Sequence, residues 1–72
     1  MTAADTNWVI VYSFKLLYKA EMMQMILKDE GIESVIINKQ DSSYLIGEIE
    51  LYVNSIDLIK AKNIIDNAEN KE

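Results

Sequence analysis

Residues 38–44 concentrate polar side chains in the order N-K-Q-D-S-S-Y, whereas most of the chain is apolar or evenly charged. Their amide, amine, carboxylate and hydroxyl groups lie at close spacing, which suits a small polar ligand or the backbone of a partner protein. Loops on a rigid sheet are where binding groups are usually displayed. The sequence therefore predicts a ligand- or partner-binding site of seven residues: Asn38, Lys39, Gln40, Asp41, Ser42, Ser43 and Tyr44. The alternative is that Asp41 and the two serines only form Asx- and ST-type turns that hold the connection together.

The same stretch offers little for catalysis. Lys39 could act as the base for a loop serine only if burial removed its charge, and nothing in the sequence indicates burial there. Glu48 and Glu50 point the same way on a predicted strand, but glycoside hydrolysis needs two carboxylates across a sugar-sized cleft. Together with Asp41 they could gather a divalent cation weakly, although their spacing does not match a calcium-binding loop. We therefore expect no catalytic residues, no metal site and no enzyme activity.

The composition excludes other chemistries. The chain has 72 residues with no cysteine and no histidine, so it lacks disulfides, thiol chemistry, the usual zinc ligands and the commonest general base. Its seven basic residues are all lysine, and its formal net charge is −5. An acidic chain without arginine is a poor binder of nucleic-acid phosphates and of anionic membranes. The sequence thus predicts no cofactor, no nucleic-acid partner and no membrane contact.

The length and hydropathy of the chain indicate one domain. Residues 1–7 are small and polar and lack the basic and apolar regions of a signal peptide. No apolar run approaches the ~18 residues of a membrane-spanning helix. We therefore predict a disordered N-terminus over residues 1–7, a single domain over residues 8–69, a frayed C-terminus over residues 70–72 and a cytoplasmic location.

The first half of the chain predicts a strand followed by a helix. Residues 8–14 are β-branched and aromatic, and they place apolar side chains on both faces of a strand. Residues 16–30 have helical periodicity, with one apolar stripe formed by Leu16, Ala20, Met23 and Leu27. Gly31 then supplies the left-handed position that ends a helix, and Ile32 can contact Leu27 as in a Schellman motif.

The second half predicts two strands and a helix. Residues 32–38 form the second strand, and residues 48–53 form the third, in which apolar and polar residues alternate as in a strand with one buried face. Gly47, just before it, indicates a turn or bulge position that a side chain would block. Asn54 or Ser55 is expected to cap the second helix. The apolar stripe of that helix is formed by Leu58, Ala61, Ile65 and Ala68.

This order of elements predicts an α+β fold of the ferredoxin-like kind. A helix that joins two parallel strands makes a right-handed crossover. The third strand then fits between the first two and runs antiparallel to both. The prediction is a βαββα sandwich in which an antiparallel three-stranded sheet of order 1-3-2 carries both helices on one face, without the last strand of a full ferredoxin-like unit.

Such a sheet leaves one face and one edge without cover. A domain this small gains only about 3–5 kcal/mol from its core, and without disulfides or metals the remaining support is oligomerisation. An exposed apolar edge also invites pairing with another chain. We predict self-association, as a homodimer, through an interface of Trp8, Ile10, Tyr12 and Tyr52, if the register places them together. Tyr18, Met22 and Met25 lie off the stripe of the first helix and indicate either a further interface or partly exposed packing.

Several segments resemble a known family. The matching segments are W-V-I-V-Y-S-F at residues 8–14, A-E at 20–21, L-K-D-E-G-I at 27–32, N-K-Q-D-S-S-Y at 38–44, G-E-I-E-L-Y-V at 47–53 and A-K at 61–62. Through them the chain resembles the putative prokaryotic signal-transducing protein family, a small domain with a PII-like, ferredoxin-like fold. Family members commonly carry polar residues or proline where Leu16 and Leu17 stand. The resemblance implies the PII-like fold and a role in signalling, but it implies no established ligand and transfers no catalytic residues.

These observations favour a non-enzymatic regulatory or signal-transducing module that binds a protein partner or a small ligand through residues 38–44. The alternative is a purely structural oligomerisation domain that uses its sheet as the contact surface and has no ligand site. A small enzyme is the third hypothesis, and the missing catalytic residue types argue against it.

Overall fold

Three strands and two helices make up the part of the chain that the computed structural model describes, which is residues 7–40 and 47–70. The elements are β1 (Trp8–Phe14), α1 (Leu17–Asp29), β2 (Ser34–Asn38), β3 (Ile49–Asn54), a 3₁₀ turn (Ser55–Asp57) and α2 (Leu58–Asn70). The strands form one antiparallel sheet in the order β1-β3-β2. The predicted α+β fold, its βαββα order and the central position of the third strand are confirmed.

Both predicted termini fall mainly outside the described residues, which exclude 1–6 and 71–72. Asn7 is described, and its carbonyl oxygen accepts a hydrogen bond of 2.7 Å from the Ser55 N–H, just beyond the paired ends of β1 and β3. Each helix has 13 residues. Within residues 7–40 and 47–70, neither the length nor the apolar character of any helix suffices to span a membrane.

The apolar side of β3 lies at the centre of the core. Ile49, Leu51 and Val53 are fully buried, in the predicted alternation. The same cluster contains five residues from the predicted stripes of both helices, which are Ala20, Met23, Leu27, Ala61 and Ile65. Because both helices contribute to one cluster on this side of β3, they cover the same face of the sheet, as predicted.

The start of α1 departs from the prediction at Leu16. Leu16 is the N-cap residue, with an extended backbone (φ −117, ψ 128) and no side-chain cap hydrogen bond. Its side chain is 49% exposed. A residue that precedes the helix with extended dihedrals does not share the angular position of the helical stripe, so the placement of Leu16 in the core was wrong.

The end of α1 follows the predicted Schellman motif. The Ile32 N–H donates to the Leu27 carbonyl at 2.9 Å, and the Gly31 N–H donates to the Lys28 carbonyl at 2.9 Å. Gly31 has φ +80. These two hydrogen bonds and the left-handed glycine define the motif, which turns the chain from α1 toward β2.

The entry to α2 confirms one of the two predicted caps. The Asn54 side chain accepts a hydrogen bond of 3.3 Å from the Ile56 N–H. The first turn is 3₁₀ rather than α, so α2 itself begins at Leu58. Short 3₁₀ turns are frequent at helix ends, and sequence periodicity does not distinguish them from the first α turn.

A β-bulge at Val11 divides β1 into two parts, and it changes the face of the sheet from which the following side chains project. Ile10 lies opposite Tyr52, but Tyr12 lies opposite Leu51, so the register shifts between them. Residues directly opposite each other in an antiparallel pair project from the same face. Tyr12 therefore faces the same side as the buried Leu51, the side on which the helices lie. The alternation alone had suggested that Tyr12 shares the face of Ile10. The register shows that it does not.

Candidate functional site

The face of the sheet opposite the helices, here called the open face, includes four large apolar side chains and a polar pair: Trp8, Ile10, Val35, Ile37, Glu50 and Tyr52. It follows from the strand register, because Tyr52 lies between Ile10 and Val35 on its two neighbouring strands. The four aliphatic and indole side chains are between 41% and 44% exposed. Large apolar side chains gathered on one sheet face, without cover from the described residues, mark a surface suited to contact with another molecule.

A polar network lies among these apolar side chains. The Tyr52 hydroxyl donates a hydrogen bond of 2.7 Å to Oε1 of Glu50, and the Lys39 Nζ lies 3.1 Å from the same oxygen. Lys39 is held here by its backbone, because its N–H donates to the Glu48 carbonyl at 3.1 Å and continues the pairing of β2 with β3. One carboxylate therefore receives two donors, one from its own strand and one from the end of the next.

The network shifts the pKa of each of its members away from neutrality. The hydrogen bond from Tyr52, followed by that from Lys39, lowers the pKa of the Glu50 carboxyl. The hydrogen bond to Glu50 raises the pKa of the Lys39 ammonium and, likewise, that of the Tyr52 phenol. A general acid or base works best with a pKa near the operating pH, so this arrangement suits a fixed charge pair rather than proton transfer.

The two donors to Glu50 predict a measurable change in two variants. Tyr52→Phe and Lys39→Met are each expected to raise the pKa of Glu50, because each removes a hydrogen bond that lowers it. Carbon-detected NMR titration of the Glu50 carboxyl measures both. Lys60→Met, at an exposed position of α2, is the control and should leave the Glu50 titration unchanged. A variant of Tyr52 or Lys39 that titrates like the wild type would contradict the role of that donor.

The same lowering of the Glu50 pKa contributes to the pH dependence of stability. Because folding lowers the Glu50 pKa, the carboxylate stabilises the folded state above the pKa of an unfolded glutamate. This contribution is lost as the pH falls through the lowered pKa. The opposite holds for Lys39 and Tyr52, whose raised pKa values make their contribution disappear at alkaline pH.

The predicted loop site is only partly described. Asp41, Ser42, Ser43 and Tyr44 lie outside the described residues. Of the other three, Asn38 and Gln40 make structural contacts: the Gln40 N–H donates to Oδ1 of Asn38 at 2.9 Å, and the Gln40 Nε2 donates to the Lys15 carbonyl at 2.7 Å. The first is an Asx-type contact, and the second ties the segment after β2 to the end of β1. The turns expected at Asp41 and the two serines lie outside the described residues. Lys39 instead reaches the open face.

Gly47 closes the base of this loop. Its φ is +99, and a Cβ atom built there would lie 2.6 Å from the carbonyl oxygen of Lys39. The backbones of the outgoing and returning chain therefore touch at this point, and only glycine leaves room for the contact. The prediction that a side chain would be blocked at Gly47 is confirmed.

Sequence reasoning missed Val35 and Ile37 as part of the site. They sit in the run S-V-I-I-N of β2, in which Ile36 faces the helices and both of its neighbours face the other way. A continuous apolar run does not reveal which positions are exposed. The signal that could have found them was the pairing of β2 with β3, since Val35 lies opposite Tyr52 and Ile37 opposite Glu50.

No metal centre is evident in the described residues. Within residues 7–40 and 47–70, no three acidic side chains are gathered closely enough to hold an ion. The weak cation cluster considered for Asp41, Glu48 and Glu50 includes one residue outside these ranges. The interface residues Trp8, Ile10 and Tyr52 do share the open face, and their contact with another chain stays a prediction.

The chain was compared with known proteins and with protein-family models. No curated protein and no solved structure is similar enough to match it. A family model described as "Putative prokaryotic signal transducing protein" matches residues 8–69. This match spans all three strands and all but the last residue of α2, and it confirms the resemblance found in the sequence segments. The chain therefore belongs to the putative prokaryotic signal transducing protein family.

Proposed function

We propose that this chain is a non-enzymatic signalling module that binds a protein partner through the open face of its sheet. The observation that carries the proposal is the combination of exposed apolar side chains with the Lys39–Glu50–Tyr52 network on that face. Segment 38–44 lies at the margin of this surface, because Lys39 belongs to both. The description of the family supports the signalling role.

The shape and composition of the surface favour a protein over a small molecule. Small-ligand sites are concave and enclose most of the ligand, whereas the open face is the outer side of a sheet. An apolar centre that includes Trp8 and Tyr52 and also offers a charge pair resembles the buried centre of a protein interface, where aromatic residues contribute most of the binding energy. The expected partner therefore presents an apolar helix or sheet face with a polar group that can reach Glu50 or Lys39.

The electrostatics support a module without catalytic activity. The pKa shifts in the network move its groups away from the range useful for proton transfer at neutral pH. The chain also contains no cysteine and no histidine, which are frequent nucleophiles and general bases. Assays with esters, phosphoesters and peptides are expected to stay at background.

Site-specific photo-crosslinking tests the surface. A benzoylphenylalanine in place of Ile37, introduced in the native host cell, should form an adduct with another protein. The same group in place of Ile59, which is 77% exposed on α2, is the matched control and should not. The captured protein, once purified, should bind the wild type directly. Ile37→Asp should weaken that binding about tenfold or more, and Ile59→Asp by no more than about twofold.

Two outcomes would contradict the proposal. Equal capture at positions 37 and 59 would show that exposure alone explains the adducts. Capture of only a second copy at position 37 would instead favour the structural oligomerisation domain. A Gln40→Ala/Asp41→Ala/Tyr44→Ala variant then separates the roles of the loop: weaker binding places segment 38–44 in the interface, and unchanged binding leaves it as a turn.

A further inference from the structure

The outer edge of β1 has free backbone groups in a defined pattern. The Ser55 N–H donates to the Asn7 carbonyl, and the register continues from there with Trp8 opposite Asn54 and Val9 opposite Val53. In an antiparallel pair, hydrogen-bonded positions alternate with non-bonded ones. Val9 therefore bonds to β3, whereas the N–H and C=O groups of Trp8 and Ile10 point away from the sheet.

On the other edge of the sheet, one outward-facing backbone group is occupied. β2 has five residues, and Gln24 of α1 donates its Nε2–H to the Ser34 carbonyl at 3.0 Å. A side chain of α1 thus occupies an outward-facing backbone group of β2. Covering an edge in this way is a recognised means of preventing edge-to-edge pairing.

β1 lacks such protection within the described residues. It has seven residues, W-V-I-V-Y-S-F, with no lysine, no other charged residue and no proline. Among the described strands it pairs only with β3. The bulge at Val11 is the feature of this strand that limits pairing along its edge. It interrupts the alternation in which the backbone groups of Trp8 and Ile10 point outward. The pairing surface is therefore short and ends at a fixed point.

The pattern of free backbone groups fits a second copy as the occupant. The outward N–H and C=O groups of Trp8 and Ile10 lie symmetrically on either side of Val9. An edge strand with such a pattern is complementary to itself when it is rotated about a two-fold axis. The β1 segment is also uncharged, so two copies of the strand place no like charges directly opposite each other.

We infer that two copies pair antiparallel along β1, about a two-fold axis at Val9. The outward groups of Trp8 then bond to Ile10 of the second copy, and the two three-stranded sheets join into one sheet of six strands. Val9 faces Val9 of the second copy as a non-hydrogen-bonded pair. On the open face, Trp8 lies beside Ile10 of the second copy, so the apolar surface continues across the contact.

A cysteine substitution tests this register directly, because the chain has no cysteine of its own. Non-hydrogen-bonded antiparallel pairs place their Cα atoms about 4.5 Å apart, which falls within the range for a disulfide. Val9→Cys in a glutathione redox buffer should therefore form a disulfide-linked dimer. Ile37→Cys and Ile59→Cys, at exposed positions away from the axis, should crosslink at least about tenfold more slowly.

A backbone substitution tests the hydrogen bonds. Ile10→Pro removes an outward N–H and leaves the bonds between β1 and β3 in place, since edge strands accept proline where the N–H faces solvent. The wild type at tens of micromolar should sediment at about twice its monomer mass of 8.3 kDa, and Ile10→Pro should sediment as the monomer with an unchanged circular dichroism spectrum. Ile10→Val keeps the N–H and should stay dimeric.

Three outcomes would overturn the inference. They are a monomeric wild type, a folded Ile10→Pro variant that is still dimeric, and crosslinking at Val9→Cys no faster than at the two control positions. The Val9→Cys assay decides the question even if Ile10→Pro fails to fold. This contact is independent of partner capture at Ile37, which lies on β2 at the other edge of the sheet, so either proposal can fail alone.

Discussion

Replacing Gly47 with alanine is expected to destabilise the fold by about 2–5 kcal/mol. A left-handed conformation costs an L-residue about 1–2 kcal/mol, and Gly47 has φ +99. The new Cβ would also stand 2.6 Å from the Lys39 carbonyl oxygen, and relieving an overpacked contact costs about 1–3 kcal/mol more. The carbonyl cannot move freely, because the Lys39 N–H is bonded to the Glu48 carbonyl at 3.1 Å.

Gly31→Ala is the matched control for this prediction. Gly31 also has a positive φ, of +80, but nothing lies within 4 Å of a Cβ atom built there. Its replacement should cost only the conformational strain, about 1–2 kcal/mol. Urea denaturation of both variants at equal protein concentration gives the two losses. If they are the same, the clash at Lys39 has been relieved at no cost, and the base of the loop is less rigid than its geometry indicates.

Much of the fold was predictable because its signals are local. The alternation of Ile49, Leu51 and Val53 identified a half-buried strand, and that strand is the central one. Gly31 marked the end of α1, and the Schellman hydrogen bonds confirm it. Each of these features depends on residues within a turn or two of each other, so a pattern read along the chain contains the information.

The errors occurred where distant pairing decides the outcome. The bulge at Val11 moves Tyr12 off the open face, and only the register of β1 against β3 reveals it. Leu16 has the spacing of the α1 stripe, but the helix begins one residue later and leaves it half exposed. Helix boundaries are the least certain part of a pattern-based prediction, because a shift of one residue changes little in the periodicity.

The site shows the same division between local and distant information. Glu50 and Tyr52 are two residues apart on one strand, so the sequence placed them on one face. Lys39 was assigned to the loop, and its contact with Glu50 requires the pairing of β2 with β3. Val35 and Ile37 complete the open face for the same reason. The candidate site is thus a product of the sheet register, and the polar loop contributes Lys39 to it.

The two proposals are connected through the sheet. Pairing along β1 would bring two open faces into one continuous surface, with Trp8 of each copy near the centre and Ile37 of each copy near the outside. A partner that spans both copies would then bury more area than one copy offers, and linked contacts raise the apparent affinity without new chemistry. Partner binding is therefore expected to strengthen in conditions that favour the dimer.

Replacing Leu51 with alanine is expected to cost about 2–5 kcal/mol, as for other buried leucines cut back to alanine. Leu51 is fully buried at the middle of the central strand, within the cluster that joins the sheet to both helices. A domain of this size is stabilised by only about 3–5 kcal/mol from its core, so the variant should lose most of that stability. Leu17→Ala, at a position that is 42% exposed on α1, removes the same atoms and should cost about 1 kcal/mol or less.

The protein concentration affects the measured loss of stability in Leu51→Ala. If the folded state is a dimer, its apparent free energy of unfolding rises with concentration, so Leu51→Ala and Leu17→Ala must be compared by urea denaturation at the same concentration and again at a tenfold dilution. The difference between the two variants should persist on dilution, because Leu51 supports the core of each copy rather than the contact between copies. Equal losses of stability in the two variants would mean that the centre of the core does not lie beneath β3. The assignment of the open face to the opposite side of the sheet would then be unsupported.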